Sequence, residues 1–462
     1  MSILIKNGTV VTSAATTKAD VYIEGEKVHT IGTNLSMKAD KTIDASGCYL
    51  FPGGIDAHTH MDLPFMGTSS SDDFETGTLA GLHGGTTTII DFAFQKQGDT
   101  LQNALNVWHE KADGKAVGDY AFHMVVTDFN EKSRAEIGPM VARHGISSFK
   151  TFMAYKGALM VDDKSLVGLF HEVEKYGGIV TTHAENGDLI DTLKAEHIAK
   201  GNLTPKFHAI TRPPIAESEA TGRIADLAFE GKHPLYIVHM TCEDAVNRVR
   251  QAMLRNQKIH VETCIQYLLL DDTVYEEPDF GGAKYVMSPP IRKKKDQEVL
   301  WAGIDQGLVE VVATDHCPFC MDQKRAGEKD FSKIPNGGPV IEDRMELLFS
   351  EGVVKRGMSL QKFVDVTSTA PARIFGMAPK KGTIAVGSDA DIVIFDPTKK
   401  HKISHKTRHM RVDYNMFEGW EVTGKCRQTI LRGTLAIDDG KALVGKGFGK
   451  YISRAKYAQP LN

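Results

Sequence analysis

The stretch FPGGIDAHTHMDLP at residues 51–64 places two histidines, His58 and His60, on either side of a single threonine. Two imidazoles at i and i+2 share a face only in a strand, where successive side chains alternate sides. Four more polar groups stand inside or at the end of apolar, β-branched runs: Lys150 in FKTFMAY, His183 in TTHAE, His239 in IVHM and Asp315 in ATDHC. Four imidazoles and a carboxylate are ligands for divalent metal, too many for one tetrahedral zinc and a suitable number for two ions. Singly, each has a plain structural explanation, such as a hydrogen-bonded histidine at a strand end or Asp315 capping a turn. Together they would put six polar groups at one end of one fold. Buried polar groups need partners, and a shared metal pair supplies them.

Lys150 is the odd member, because an ammonium repels cations. Burial lowers a lysine pKa, and the neutral amine can take up carbon dioxide as a carbamate, N6-carboxylysine, whose two oxygens bridge two metals. A water shared by two metals falls in pKa from about 15.7 towards ~7, giving a bridging hydroxide at neutral pH. Asp315 is the candidate general base, which later hands the proton to a leaving nitrogen. Tyr155 is either a donor to the developing oxyanion or an amphipathic aromatic at the rim.

The elements that must hold these groups alternate. Strand candidates are 55–62, 86–94, 120–127, 148–155, 178–185, 235–241, 259–268 and 309–316, with helical patterns at 133–144, 164–176, 216–229 and 243–255 between them. This rhythm predicts a TIM-like (β/α)8 barrel with its reactive residues at the C-terminal strand ends. An open doubly wound sheet would need a glycine-rich loop after a strand, and none follows these. Both chain ends are different in character. Ile3-Leu4-Ile5 and Thr9-Val10-Val11 flank Asn7-Gly8 as an expected hairpin. ADIVIF at 390–395 and QTILRGTLAI at 428–437 form a strand and a second hairpin. A small β-sandwich domain built from both termini (1–52 and 376–445) is expected around a catalytic barrel at 53–375, followed by a tail at 446–462.

A net charge of −4, with 25% charged residues, gives no electrostatic reason to expect nucleic acid or an anionic membrane as partner. The basic runs Arg292-Lys293-Lys294-Lys295 and 399–409 read as solvated surface. Six scattered cysteines, including Cys317-Pro-Phe-Cys320 without a second pair, fit a reduced cytoplasmic compartment. No run approaches the ~18 apolar residues of a membrane span.

At PGGIDAHTH (52–60), FKTFMAY (149–155), TDHCP (314–318) and GSDADIV (387–393) the chain resembles the amidohydrolase superfamily. It is most similar to its cyclic-amidase branch of dihydropyrimidinases and D-hydantoinases, along essentially its whole length. The resemblance implies two divalent ions, zinc by default with manganese or cobalt as substitutes. His58, His60 and Asp315 would hold the more buried ion, His183 and His239 the other, and carboxylated Lys150 would bridge them. It also implies that Tyr155 meets the substrate carbonyl, that main-chain groups at Ser288 and Asn336 read the ring amides, and that the chain forms a homotetramer. The implied activity opens dihydropyrimidines and 5-substituted hydantoins to N-carbamoyl amino acids. Allantoinase is an alternative, as is a non-catalytic scaffold that has lost its ligands. Dihydroorotases usually carry an arginine soon after the paired histidines, whereas Met61-Asp62-Leu63-Pro64-Phe65 follows here. Leu63, Phe65 and Phe152, with Met61, read as an apolar wall for a ring substituent or as rim packing.

Overall fold

The computed structural model describes residues 2–457. Eight parallel strands run in sequential spatial order: β1 (Gly54–Thr59), β2 (Thr86–Phe94), β3 (Asp119–Val125), β4 (Ser148–Phe152), β5 (Ile179–His183), β6 (Leu235–Ile237), β7 (Ile259–Cys264) and β8 (Val311–Ala313). A parallel bridge between Thr59 and His316 joins the last segment to the first, closing a TIM-like barrel. The strands are buried on both faces, as expected of a parallel sheet sheathed in helices. The surrounding helices follow the apolar stripe. In Asp163–Lys175, Leu166, Leu169, Phe170 and Val173 face the barrel, and the Asp162 side chain accepts from the Ser165 N–H to start the helix.

Several strands are shorter than the alternation predicts. β6 stops at Ile237 rather than 241, β8 spans only Val311–Ala313, and β7 gives way to a helix, Ile265–Leu269. A continuous apolar run does not distinguish a strand from the buried turn of helix that follows it.

Two further sheets form the sandwich. One orders Lys27–Gly32, Asp20–Glu24, Ser2–Lys6 and Lys41–Asp44. The other pairs Tyr49–Pro52 antiparallel with Ile392–Lys402, and so joins the two chain ends. The expected hairpin at Asn7-Gly8 is not formed: Ser2–Lys6 and Thr9–Val11 belong to different sheets. Asn7, at φ 63°, turns the chain from one sheet to the other, so that Ile3, Ile5 and Val10 share one core. The second hairpin forms as predicted, with Leu431 opposite Thr434. Pro52-Gly53-Gly54 leads from sandwich to barrel. A Cβ on Gly53 would lie 2.1 Å from Thr87 Oγ1, so only glycine fits.

The segment after residue 446 crosses the underside of the barrel, bonding to the chain at Lys115, Ala116, Tyr120, Gly145, Gly376 and Gly177 in turn. Residues 458–462 of the expected tail lie outside the described residues. Among the described residues no helix is long and apolar enough to cross a membrane. Lys293 to Lys295 are exposed, but Arg292 is buried and pairs with Glu217 at 2.8 Å, correcting the surface reading for that residue. In the second basic run, Arg408 is likewise withdrawn, paired with Asp343 and Glu346 at 2.7 Å each. All six cysteines are free thiols.

Candidate active site

The six expected ligands converge at the C-terminal rim of the barrel and line one cavity, together with Tyr155, Ser288, Asn336, Leu63, Phe65 and Phe152. Lys150 is central in β4, His183 closes β5, and His58 lies in β1 with His60 just beyond it. His239 and Asp315 stand two residues past β6 and β8. Both have positive φ (40° and 53°), as does Tyr155 (65°). Left-handed backbone at a non-glycine residue is strained and is tolerated where the surroundings fix it. All three side chains line the cavity. Thr59 points the other way, as the alternation requires, and donates to Asp91 Oδ2 at 2.9 Å.

His58 Nε2 and His60 Nε2 each lie 3.1 Å from Asp315 Oδ1. Adjacent ligands around a tetrahedral ion at 2.0–2.1 Å stand about 3.4 Å apart, so the cluster matches a divalent cation. His183 Nδ1 and His239 Nε2 face each other at 2.9 Å. Burial pushes His60 down to about 4 and lowers His183 and His239, which keeps these imidazoles neutral and able to ligate. Burial also works to lower His58, but Asp315 and Glu262 outweigh it and raise the imidazole to about 9. Burial would raise Asp315, yet His58 and His60 hold its carboxyl well below the usual range. Lys150, between the rings of Phe92 and Phe152 at 5.0 and 5.1 Å, is pushed by burial to about 7, with Glu262 and Asp315 only partly offsetting.

Opposite the imidazoles, Ser288 and Asn336 hydrogen-bond to each other at 3.0 Å and lie against the Tyr155 hydroxyl, whose pKa burial raises. Phe65 meets Tyr155 edge-on at 6.2 Å. Leu63, Phe65, Phe94 and Leu159 continue into an outer vestibule of roughly 710 Å³. Met61 does not join this wall: it is fully buried beside Gly77, where a Cβ would come within 2.2 Å of its sulfur.

Four supporting residues escaped the sequence reading. Glu262 on β7 accepts from His58 Nδ1 at 2.7 Å, from the Tyr236 hydroxyl at 2.8 Å and from the His239 N–H at 3.0 Å, so one carboxylate orients both histidine sets. Glu185 holds His183 Nε2 at 2.7 Å and is itself paired with Arg212 at 2.5 Å. Lys324 donates to the carbonyls of Val286, Pro335 and Gly337 at 3.2, 3.1 and 2.8 Å, which ties together the loops carrying Ser288 and Asn336. Only Glu262 gave a signal, an acid in the otherwise strand-like HVETC.

The family model described as "Amidohydrolase family" matches residues 49–436. A D-hydantoinase of Geobacillus stearothermophilus is 49% identical over 459 residues, covering 99% of this chain and 97% of that protein. A D-phenylhydantoinase of Escherichia coli O1:K1 / APEC is 42% identical over the full length of both. The crystal structure of a dihydropyrimidinase from Brevibacillus agri NCHU1002 superposes with TM-score 0.99 at 51% identity, covering all of both chains. The chain thus belongs to the amidohydrolase family, in its dihydropyrimidinase and D-hydantoinase branch.

Proposed function

We propose that the rim cavity hydrolyses the cyclic amide bond of dihydropyrimidines and 5-substituted hydantoins, releasing N-carbamoyl amino acids. The observation that carries this reading is the convergence of six metal-type donors on one wall and an amide-reading set, Tyr155, Ser288 and Asn336, on the other. His58, His60 and Asp315 would hold one divalent cation, zinc by default, and His183 and His239 a second, with carboxylated Lys150 shared between them. Such ions supply Lewis-acid polarisation of the scissile carbonyl and an acidified water.

The chain's own groups do the rest. The ring amides would bond the loop groups at Ser288 and Asn336, fixed from behind by Lys324. Tyr155 stays protonated because burial raises its pKa, so its hydroxyl can donate to the carbonyl oxygen as charge develops there. Asp315 is held as carboxylate, accepts the proton of the attacking water and returns it to the ring nitrogen as the C–N bond breaks. Leu63, Phe65 and Phe152 form the apolar surface that meets the 5-substituent, and the vestibule beyond leaves space for aromatic groups.

The filled donor set argues against a non-catalytic scaffold, and the apolar wall disfavours allantoin, whose ring substituent is a polar ureido group. The test is a parallel assay of dihydrouracil, 5-phenylhydantoin and allantoin on protein of known metal content. Faster turnover of allantoin, or fewer than about one divalent ion per chain, would refute the reading. A homotetrameric assembly and a cytoplasmic location belong to the same proposal, the first read by light scattering.

A further inference from the structure

A second cluster of metal-type donors lies far from the cavity. One donor atom from each of His171, Glu230 and His233 falls within 4.8 Å of the other two. His171 and Glu174 are three residues apart on the helix Asp163–Lys175 and therefore share a face. Glu230 ends the helix Pro214–Glu230, and His233 follows in the turn. Both helices end just before β5 and β6 begin, which puts the cluster on the barrel face opposite the candidate active site. Helix C-termini carry partial negative charge and favour cations.

His233 is the telling residue. Its side chain is 4% exposed, its ring stacks on Phe170 at 5.6 Å and 8°, and Nε2 has no hydrogen-bond partner among the described residues. Nδ1 is paired with Glu174 Oε2 at 2.8 Å. A Cβ on residue 231 would come within 2.0 Å of Nε2, so the ring fits only against glycine and turns Nδ1 towards the carboxylates. The rim contact between His171 Nε2 and Glu230 Oε2, at 3.1 Å, is exposed and on its own is worth little. It does not account for a buried imidazole whose one free-facing nitrogen, Nδ1, is turned to a carboxylate while Nε2 has no partner.

We propose that His171, Glu174, Glu230 and His233 form a structural site for a divalent transition metal of the zinc type, pinning two successive helix ends together beneath the barrel. Two imidazoles and two carboxylates suit zinc and disfavour calcium or magnesium, which prefer all-oxygen sites. The test uses the enzyme with its active-site metals in place, dialysed against low-micromolar zinc, with metal content measured per chain. The expected result is one further zinc per chain and a raised thermal midpoint. His171→Ala, a change at an exposed position, weakens that binding by more than about tenfold, removes the thermal shift and leaves hydantoin turnover unchanged. His405→Ala, which deletes another surface histidine beside a glutamate, keeps the ion. No further zinc in the wild type, equal affinity in His171→Ala, or loss of the ion in His405→Ala would overturn the proposal.

Discussion

Replacing Glu262 by glutamine probes whether one buried carboxylate sets the affinity of the whole metal centre. The amide preserves volume but removes the charge that accepts from His58 Nδ1, the Tyr236 hydroxyl and the His239 N–H. Its oxygen can still serve His58 and the His239 amide. Its NH₂ then faces the Tyr236 hydroxyl, whose proton loses its acceptor. A neutral hydrogen bond contributes about 1 kcal/mol and a charge-assisted one roughly twice that. Downgrading the His58 bond by about 1 kcal/mol and losing the charge-assisted Tyr236 bond, about 2 kcal/mol, therefore sum to about 3 kcal/mol. At 1.4 kcal/mol per decade this is roughly a hundredfold weakening of metal affinity. Competition with a chromophoric chelator, with metal counted by mass spectrometry and folding checked by circular dichroism, measures it directly. A folded Glu262→Gln protein whose metal affinity stays within threefold of wild type would refute the idea that Glu262 orients these ligands.

Lys150→Ala should lose metal and activity together, and a small carboxylic acid should restore part of both, because it supplies the missing bridging oxygens; full activity in the unrescued variant rules out the bridge. Asp315→Asn should lower kcat by roughly 10²–10⁴, measured with metal content held equal. Lys324→Met removes three donors from the loops at Ser288 and Asn336, and kcat/KM should fall about tenfold, mostly through KM, with the circular dichroism spectrum unchanged. Reconstitution of metal-free protein needs the Lys150 amine in its neutral form, whose share grows as pH rises through a pKa of about 7. It should slow about fivefold between pH 7 and pH 6 at fixed dissolved carbon dioxide, and a rate flat across that interval contradicts the carbamate.

The convergence of the candidate ligands was legible because strand alternation makes His58 and His60 co-facial, and because lysine, histidine and aspartate are conspicuous in apolar runs. The barrel was legible from its rhythm. Glu262 was not, since a single glutamate in a strand does not reveal which neighbour it will serve. Lys324 sits among polar residues in a four-residue helix and reads as surface, yet tertiary packing leaves it with no exposure. The strand ends were overextended at His239 and Asp315 because alternation continues past the point where the backbone turns to positive φ. Asn7-Gly8 was read correctly as a turn and wrongly as a hairpin. Local turn chemistry does not specify whether the next strand pairs with the last one or crosses to a facing sheet.

The pairing of Phe51 with Val393 has a consequence for how the protein is made. These partners are separated by some 340 residues, which a ribosome adds in roughly 20 s to a minute at 5–20 residues per second. For that interval Tyr49–Pro52 has no antiparallel neighbour, and the apolar side chains of Ile3, Ile5 and Leu50 await Ile392 and Ile394. The metal-binding barrel is thus synthesised between two halves of a sheet that cannot close until it has emerged. Until then the edge of Tyr49–Pro52 stays open to non-native pairing.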